Sequence, residues 1–257
     1  MQIKDYEYLY QLEETFWWFV GMRQVTAAVL DPFCPPGRNR KILDAGCGTG
    51  SNLVWLQRYA GDGPISGLDL SPDALQFCRA RGQRLLTQAS VSMLPLETDY
   101  FDLVTSFDVL AQLSGADGES AAAEMFRVLR PGGFAFVRTA AYEWMRSGHD
   151  KALSSQRRYS LRELVELLTS VGFSVLLATY ANSLLLPVAV LRRLVLKRVG
   201  LADPGSDVKP LDSKLRWLNG TLCSALSVEA KWLRTSRRLP TGLSAICVAQ
   251  KPDTDRL

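Results

Sequence analysis

The run Asp44-Ala45-Gly46-Cys47-Gly48-Thr49-Gly50 puts one acid and three glycines into seven residues. Glycines at alternate positions let a backbone loop come close to a ligand and take φ angles that other residues avoid. A second acid, Asp69, follows 19 residues after Gly50. A carboxylate there, at the end of the next strand, is placed to accept hydrogen bonds from ribose hydroxyls. The two features together describe a nucleoside site. The spacing is Gly-x-Gly-x-Gly, whereas a dinucleotide binder uses Gly-x-Gly-x-x-Gly so that a pyrophosphate can sit on a helix N-terminus. The loop therefore suits another ligand.

Such a loop works only where a strand delivers it and a helix leaves from it. Residues 41–44 read as a short buried strand, 51–59 as a helix and 65–70 as a second strand; Ser71-Pro72-Asp73 then starts a helix with Ser as cap and Pro at its first position. Further on, 101–107 reads as a strand and 118–129 as an alanine-rich helix stopped by Arg130-Pro131-Gly132-Gly133. Residues 134–139 are the next strand, 159–171 an amphipathic helix, 173–179 a strand and 243–250 a last, alternating strand. Alternation of this kind implies right-handed crossovers and a mainly parallel sheet covered on both faces, an α/β fold.

Two stretches lie outside that rhythm. Residues 5–30 are dense in aromatics (Tyr6, Tyr8, Tyr10, Phe16, Trp17, Trp18, Phe19) and are predicted to form one helix ending at the turn cluster 31–37. Residues 181–240 hold no convincing strand, only apolar and basic helical stretches at 184–199 and 211–239. The expected organisation is a helical lid at 1–37, a core at 38–180, an inserted helical cap at 181–240, and the core's last strand with a tail at 241–257.

At 257 residues, with 47% hydrophobic and 22% charged residues, the chain can bury a core and is neither disordered nor fibrous in composition. Its longest strongly apolar run, 184–191, contains Pro187 and stops at Arg192 and Arg193, far short of the roughly 20 residues a bilayer span needs. No secretory signal is read at the start, so a cytoplasmic location is expected. Five scattered cysteines without a Cys-x-x-Cys pair are expected to be reduced thiols. No His, Asp and Glu cluster has metal-ligand spacing, and no metal is expected. The net charge of +4 divides unevenly: residues 181–257 carry 13 Lys/Arg against 6 Asp/Glu, and residues 1–180 carry 17 against 20. The two parts are thus +7 and −3. A basic final third suits an anionic substrate, a membrane surface or nucleic acid, or else a solvated helical face. No RNA-binding module accompanies it, so no nucleic acid partner is expected.

The glycine loop is followed by Leu94-Pro95-Leu96, by Tyr100-Phe101-Asp102-Leu103-Val104 and by Leu129-Arg130-Pro131-Gly132-Gly133. In this order the elements resemble those of the class I S-adenosylmethionine-dependent methyltransferases. The resemblance implies a Rossmann-like sheet of seven strands, mainly parallel with an antiparallel last strand, and S-adenosyl-L-methionine as cofactor. It implies that the loop from Gly46 through Gly48 to Gly50 lies against the methionine part, that Asp69 binds ribose, and that Ser90 and Val91 flank the adenine. Asp44, Ala45, Leu70, Phe107 and Asp108 complete the implied cofactor set. Ser90 stands where many relatives carry an acid, so a hydroxyl or backbone would read the adenine amine. Gln112 stands where relatives often carry His, which removes a base from that position. Phe16 to Arg23, Trp144, His149-Asp150, Arg157-Arg158-Tyr159, Tyr180 to Ser183 and Leu239 to Gly242 together look like a bacterial subgroup found around secondary-metabolite and surface-glycan pathways. That subgroup fixes the cofactor and not the acceptor.

Several residues admit two readings. Trp17 and Trp18 either pack in the core or line the pocket. Arg23 either pairs with the cofactor carboxylate, which Arg matches bidentately, or makes a surface salt bridge. His149, the only histidine, is either structural or a base or orienting group assisted by Asp150. Arg157, Arg158 and Tyr159 either pack at the start of a helix or form an anion-binding rim; Tyr142, Trp144 and Asn182 are further acceptor candidates. The expected activity is methyl transfer to a small-molecule acceptor, most simply at oxygen, in a biosynthetic pathway. The alternatives are a lipid-linked or glycan acceptor met at a membrane surface through the cap, and, in a different class, a non-enzymatic nucleoside-binding protein or an NAD-dependent oxidoreductase. Oligomeric state is left open.

Overall fold

A computed structural model describes residues 3–146, 155–191, 216–236 and 238–253. His149 and Asp150, the second half of the helix expected at 184–199 and the start of that expected at 211–239 lie outside the described residues.

The sheet begins with β1 (Ile42–Ala45), buried at every position. Successive side chains of a strand point to opposite faces. Accordingly Ile42 joins one apolar cluster and Leu43 the other, and Leu103 and Val104, Phe136 and Val137, and Ile246 and Cys247 divide in the same way. The remaining strands are β2 (Ile65–Asp69), β3 (Leu86–Gln88), β4 (Phe101–Phe107), β5 (Leu129–Ala140), β6 (Ser174–Ala181) and β7 (Ser244–Gln250). Their order is β3-β2-β1-β4-β5-β7-β6. β7 runs antiparallel to both β5 and β6, and the other pairings are parallel. This is the Rossmann-like seven-stranded sheet expected above. The strand β3 was not located from sequence, and β5 starts at Leu129 rather than at 134 because Leu129 pairs with Phe101 before a register shift.

Helices cover both faces. On one side lie α2 (Trp17–Leu30), α3 (Ser51–Ala60), α4 (Pro72–Ala80) and α7 (Arg216–Ser236); on the other lie α5 (Gly115–Val128) and α6 (Leu161–Ser170). Ser71 caps α4 with Pro72 at its first position, as the sequence indicates. Ser160 and Glu163 close a capping box on α6, which starts two residues later than expected because Tyr159 bridges Ala141.

The N-terminal segment departs from the sequence expectation. Instead of one helix there are two, α1 (Ile3–Leu12) and α2, separated at residues 13–16. Glu13 and Glu14 leave the helical path to meet groups at the glycine loop, and those tertiary contacts outweigh the helix propensity of two glutamates. Phe16, the residue preceding α2, offers no side-chain cap. Asn219 of α7 supplies it: its Oδ1 accepts from the Trp17 amide at 2.8 Å and its Nδ2 donates to the Thr15 carbonyl at 3.0 Å. α2 and α7 then pack closely at Gly21, where a Cβ would come within 2.6 Å of Leu226.

Candidate active site

The carboxyl ends of β1, β2 and β4 meet at the point where the strand order reverses, which is where open α/β sheets bind ligands. The glycine loop bridges them. Gly46, Gly48 and Gly50 have φ of +90°, +54° and +84°, a region that disfavours a side chain. Two of the three glycines are also required by close packing: a Cβ at Gly46 would overlap Val109, and one at Gly50 would meet Cys78. Gly48 differs, since the space beside it is open within 4 Å.

Asp69 shapes the loop. Its Oδ2 accepts from the Gly48 amide at 2.9 Å and its Oδ1 from the Ser71 amide at 2.9 Å. Burial raises its carboxyl above the usual range while these amides pull it down. Asp44 sits beneath the loop, fully buried. Thr105 lies opposite it in the neighbouring strand and donates its hydroxyl to Asp44 Oδ1 at 2.7 Å. The other oxygen, Asp44 Oδ2, is buried with no hydrogen-bond partner. Burial lifts this carboxyl to about 7, opposed by the Thr105 bond.

The break between α1 and α2 closes over this loop. Glu13 accepts from the Thr49 hydroxyl and pairs with Arg81 at 3.2 Å; Glu14 accepts from Ser51 at 2.9 Å and pairs with Arg81 at 2.8 Å. Arg81 also donates through Nε to the Thr49 carbonyl at 3.0 Å and through Nη2 to the Tyr10 carbonyl at 3.0 Å, with its guanidinium 4.3 Å from the Tyr10 ring centre. Arg23 is neither free nor at the surface. It donates to Ser51 Oγ and the Glu13 carbonyl, and stands 3.6 Å from Glu14. Its Nε is buried without a partner. Burial lowers the pKa of the Arg23 guanidinium and raises that of the Glu13 carboxyl, in each case by disfavouring the charged form.

At the end of β4, Asp108 takes φ +62° and accepts from Arg138 of β5 at 2.9 Å and 2.5 Å. The Arg138 guanidinium lies between aromatic faces, 4.8 Å from the Trp18 ring centre and 5.1 Å from that of Phe107. Trp18 and Phe107 therefore form one wall with a buried cation in it. Trp17 packs against the core cluster beside them.

The residues named from sequence fall into two groups. Asp44, Ala45, the three glycines, Asp69, Leu70, Phe107, Asp108, Trp18 and Arg23 gather at the carboxyl ends of β1, β2 and β4, and Ser90 and Val91 follow β3, whose neighbour Ala89 bonds the Asp69 carbonyl. Tyr142, Trp144, Arg158, Tyr159 and Asn182 gather instead beyond β5 and β6. There Tyr142 stacks between Tyr180 at 5.1 Å and Trp144 at 5.7 Å, and its hydroxyl meets Thr241 at 2.9 Å. Arg158 is buried with Nη1 on the Ala141 carbonyl at 3.0 Å, and Tyr159 is buried in the core. An open cavity of about 440 Å³ lies against Glu143, Arg157 and Arg158. Glu13, Glu14, Arg81, Thr105 and Arg138 were not named from sequence. Only Arg138 carried a visible signal, as a charge inside an otherwise apolar strand.

S-adenosyl-L-methionine carries an α-amino acid, a ribose and an adenine. The orphaned Asp44 Oδ2 needs a donor, the orphaned Arg23 Nε needs an acceptor, the face of Gly48 is open, and the Asp69 carboxylate ends β2 beside the loop. These groups fit that molecule's ammonium, carboxylate and sugar. Residues 43–137 match the family described as methyltransferase domain. A probable S-adenosylmethionine-dependent methyltransferase of Mycolicibacterium smegmatis is 34% identical over 139 residues, 53% of this chain and 52% of that protein. A fatty-acid O-methyltransferase of the same organism is 33% identical over 138 residues, 46% of each chain. The chain thus spans about half the length of the curated relatives it matches. An S-adenosylmethionine-dependent methyltransferase structure from Mesorhizobium loti superposes with a TM-score of 0.58 at 17% identity, covering 88% of this chain and 97% of that one, and shares the fold. These likenesses support the class I S-adenosylmethionine-dependent methyltransferase family for the core of this chain, with S-adenosyl-L-methionine as its cofactor.

Proposed function

We propose that the chain transfers a methyl group to a small-molecule acceptor, at oxygen, in a biosynthetic pathway. The observation that carries the reading is the buried, half-satisfied Asp44 carboxylate beside the open face of Gly48. When bound, the cofactor supplies a methyl group already activated by the positive charge on sulfur. Asp44 and Arg23 hold its amino-acid end, and Asp69 its ribose. The chain's contribution is then to align the acceptor and exclude water, which can supply much of a displacement's rate acceleration. Glu13, Glu14 and Arg81 close α1 over the loop, and Trp18 with Phe107 walls the space beside Asp108.

The aromatic wall favours an acceptor with an apolar or planar body, and Arg138 behind it favours one with an oxygen anion or a hydroxyl. The similarity to a fatty-acid O-methyltransferase supports the same reading. His149 with Asp150 is the proposed proton acceptor for the hydroxyl, and Tyr142, Trp144 and Asn182 a more distant acceptor rim.

Calorimetry with S-adenosylhomocysteine and with NAD tests the cofactor assignment; heat with NAD and none with S-adenosylhomocysteine would replace this reading by the oxidoreductase one. Cofactor binding without methylation of any hydroxylated apolar acceptor would favour a non-enzymatic nucleoside-binding role. His149→Ala is expected to lower kcat while leaving S-adenosylhomocysteine affinity unchanged, and unchanged turnover would remove His149 from the chemistry.

A further inference from the structure

Among the described residues, α7 has one face without a partner. Its inner face, Leu226, Ala230 and Leu233, belongs to the core cluster that also contains α2. Its outer face presents Trp217, Val228 and Trp232, which are 67%, 58% and 55% exposed. Positions separated by 11 and 4 residues lie on one side of a helix. Two indoles on a single solvent-facing stripe are costly to leave in water. The adjoining segment adds Leu184, Val188 and Leu191, each more than half exposed.

Among the described residues of α7, the charges around these side chains have one sign. The only carboxylate in α7, Glu229, points inward, is 2% exposed, and accepts from the amides of Asn182, Ser183 and Leu184. The cations Lys231 and Arg234 flank Trp232 and are exposed, and Arg238 follows. Tryptophan with lysine and arginine, free of acids, is the composition of surfaces that rest in a lipid headgroup layer: the indoles enter the acyl boundary and the cations meet phosphates. A protein partner of ordinary composition would call for some hydrogen-bonding complement on the stripe, and the other exposed positions, Gly220, Thr221, Ser224 and Thr235, are small or weakly polar.

We propose that the outer face of α7 docks the protein on an anionic membrane surface. This rests on the methyltransferase reading only for its purpose: an acceptor with an apolar body would be taken from the bilayer. The docking itself stands on Trp217, Trp232, Lys231 and Arg234.

The test is co-sedimentation of the full chain with vesicles of phosphatidylcholine alone and of phosphatidylcholine with a quarter phosphatidylglycerol. Binding to the anionic vesicles, with a blue shift of tryptophan emission, is expected, together with roughly tenfold weaker binding to the neutral ones. The pair W217S and W232S together should reduce partitioning roughly tenfold or more, and K231E with R234E should erase the preference for anionic lipid. Both variants should bind S-adenosylhomocysteine as the unaltered chain does, which separates a docking defect from a damaged fold. The proposal is overturned if the unaltered chain stays in the supernatant with both vesicles, if it binds both equally, or if the tryptophan variant partitions undiminished. Loss of S-adenosylhomocysteine binding by the unaltered chain would strike the methyltransferase reading and leave the docking result standing.

Discussion

Asp44 has one carboxylate oxygen bonded to Thr105 and the other buried without a partner. Burial holds Asp44 near 7, so its folded-state value lies above its unfolded one. The sign follows from linkage: a raised carboxyl favours the fold at low pH, and that contribution is lost as pH rises from about 4 toward 7. Asp69 and Glu13 are raised in the same direction. The ligand-free protein should therefore melt at a higher temperature at pH 5 than at pH 8 once acid denaturation elsewhere is allowed for, and Asp44→Asn should flatten that difference. Cofactor binding should run the other way. With the cofactor ammonium on Asp44 as proposed, pairing requires the ionised carboxylate, so affinity for S-adenosylhomocysteine should fall as pH drops below about 7, by up to tenfold per unit, and calorimetry at pH 6 and 8 reads it. Gly48→Ala probes the open face beside it. The substitution forces alanine to a φ of +54° at a cost of about 1–2 kcal/mol and fills space meant for ligand, so it should weaken S-adenosylhomocysteine binding more than it lowers the melting temperature.

At the scale of elements, what could be read from sequence was whatever is local. Asp44, the glycines and Asp69 are fixed by the run from β1 through α3 to β2, and the turn chemistry at Ser71-Pro72 announced α4. Thr105 became part of the site only because sheet register sets it opposite Asp44, and Arg138 only because β5 lies beside β4. Neither pairing leaves a trace in spacing. β3 escaped notice because three residues with a single large apolar side chain give no period. The lid break was hidden by its own composition, since Glu13 and Glu14 favour helix until Arg81, 68 residues away from Glu13, draws them out. Arg81→Ala should consequently raise hydrogen exchange through residues 3–16 while leaving β4 protected, as mass spectrometry of peptides would show. The α2 and α7 packing is equally checkable. Gly21→Ala pushes a methyl group into Leu226 and should cost about 1–3 kcal/mol, visible as a lower denaturant midpoint.

For the whole molecule, ligand and fold are linked by mass action. S-adenosylhomocysteine at a hundred times its dissociation constant should add about 2.7 kcal/mol, a rise in melting temperature of roughly 5–10 °C for a chain of this size, and NAD at the same concentration should give none. Among the described residues no helix is long and apolar enough to cross a membrane; the proposed contact with lipid is made through the outer face of α7.

The amide of Asn219 that caps α2 lies 202 residues from Trp17, and the separation bears on time rather than on energy. A growing chain exposes its N-terminal aromatic segment long before the residue that finishes it exists. Until α7 emerges and docks, α2 lacks both its cap and the Leu226 surface that Gly21 fits. Closing so distant a pair costs more chain entropy than any step within the sheet. The segment that covers the cofactor loop is thus among the first to be made and should be among the last to settle, after the nucleoside site it guards has taken shape.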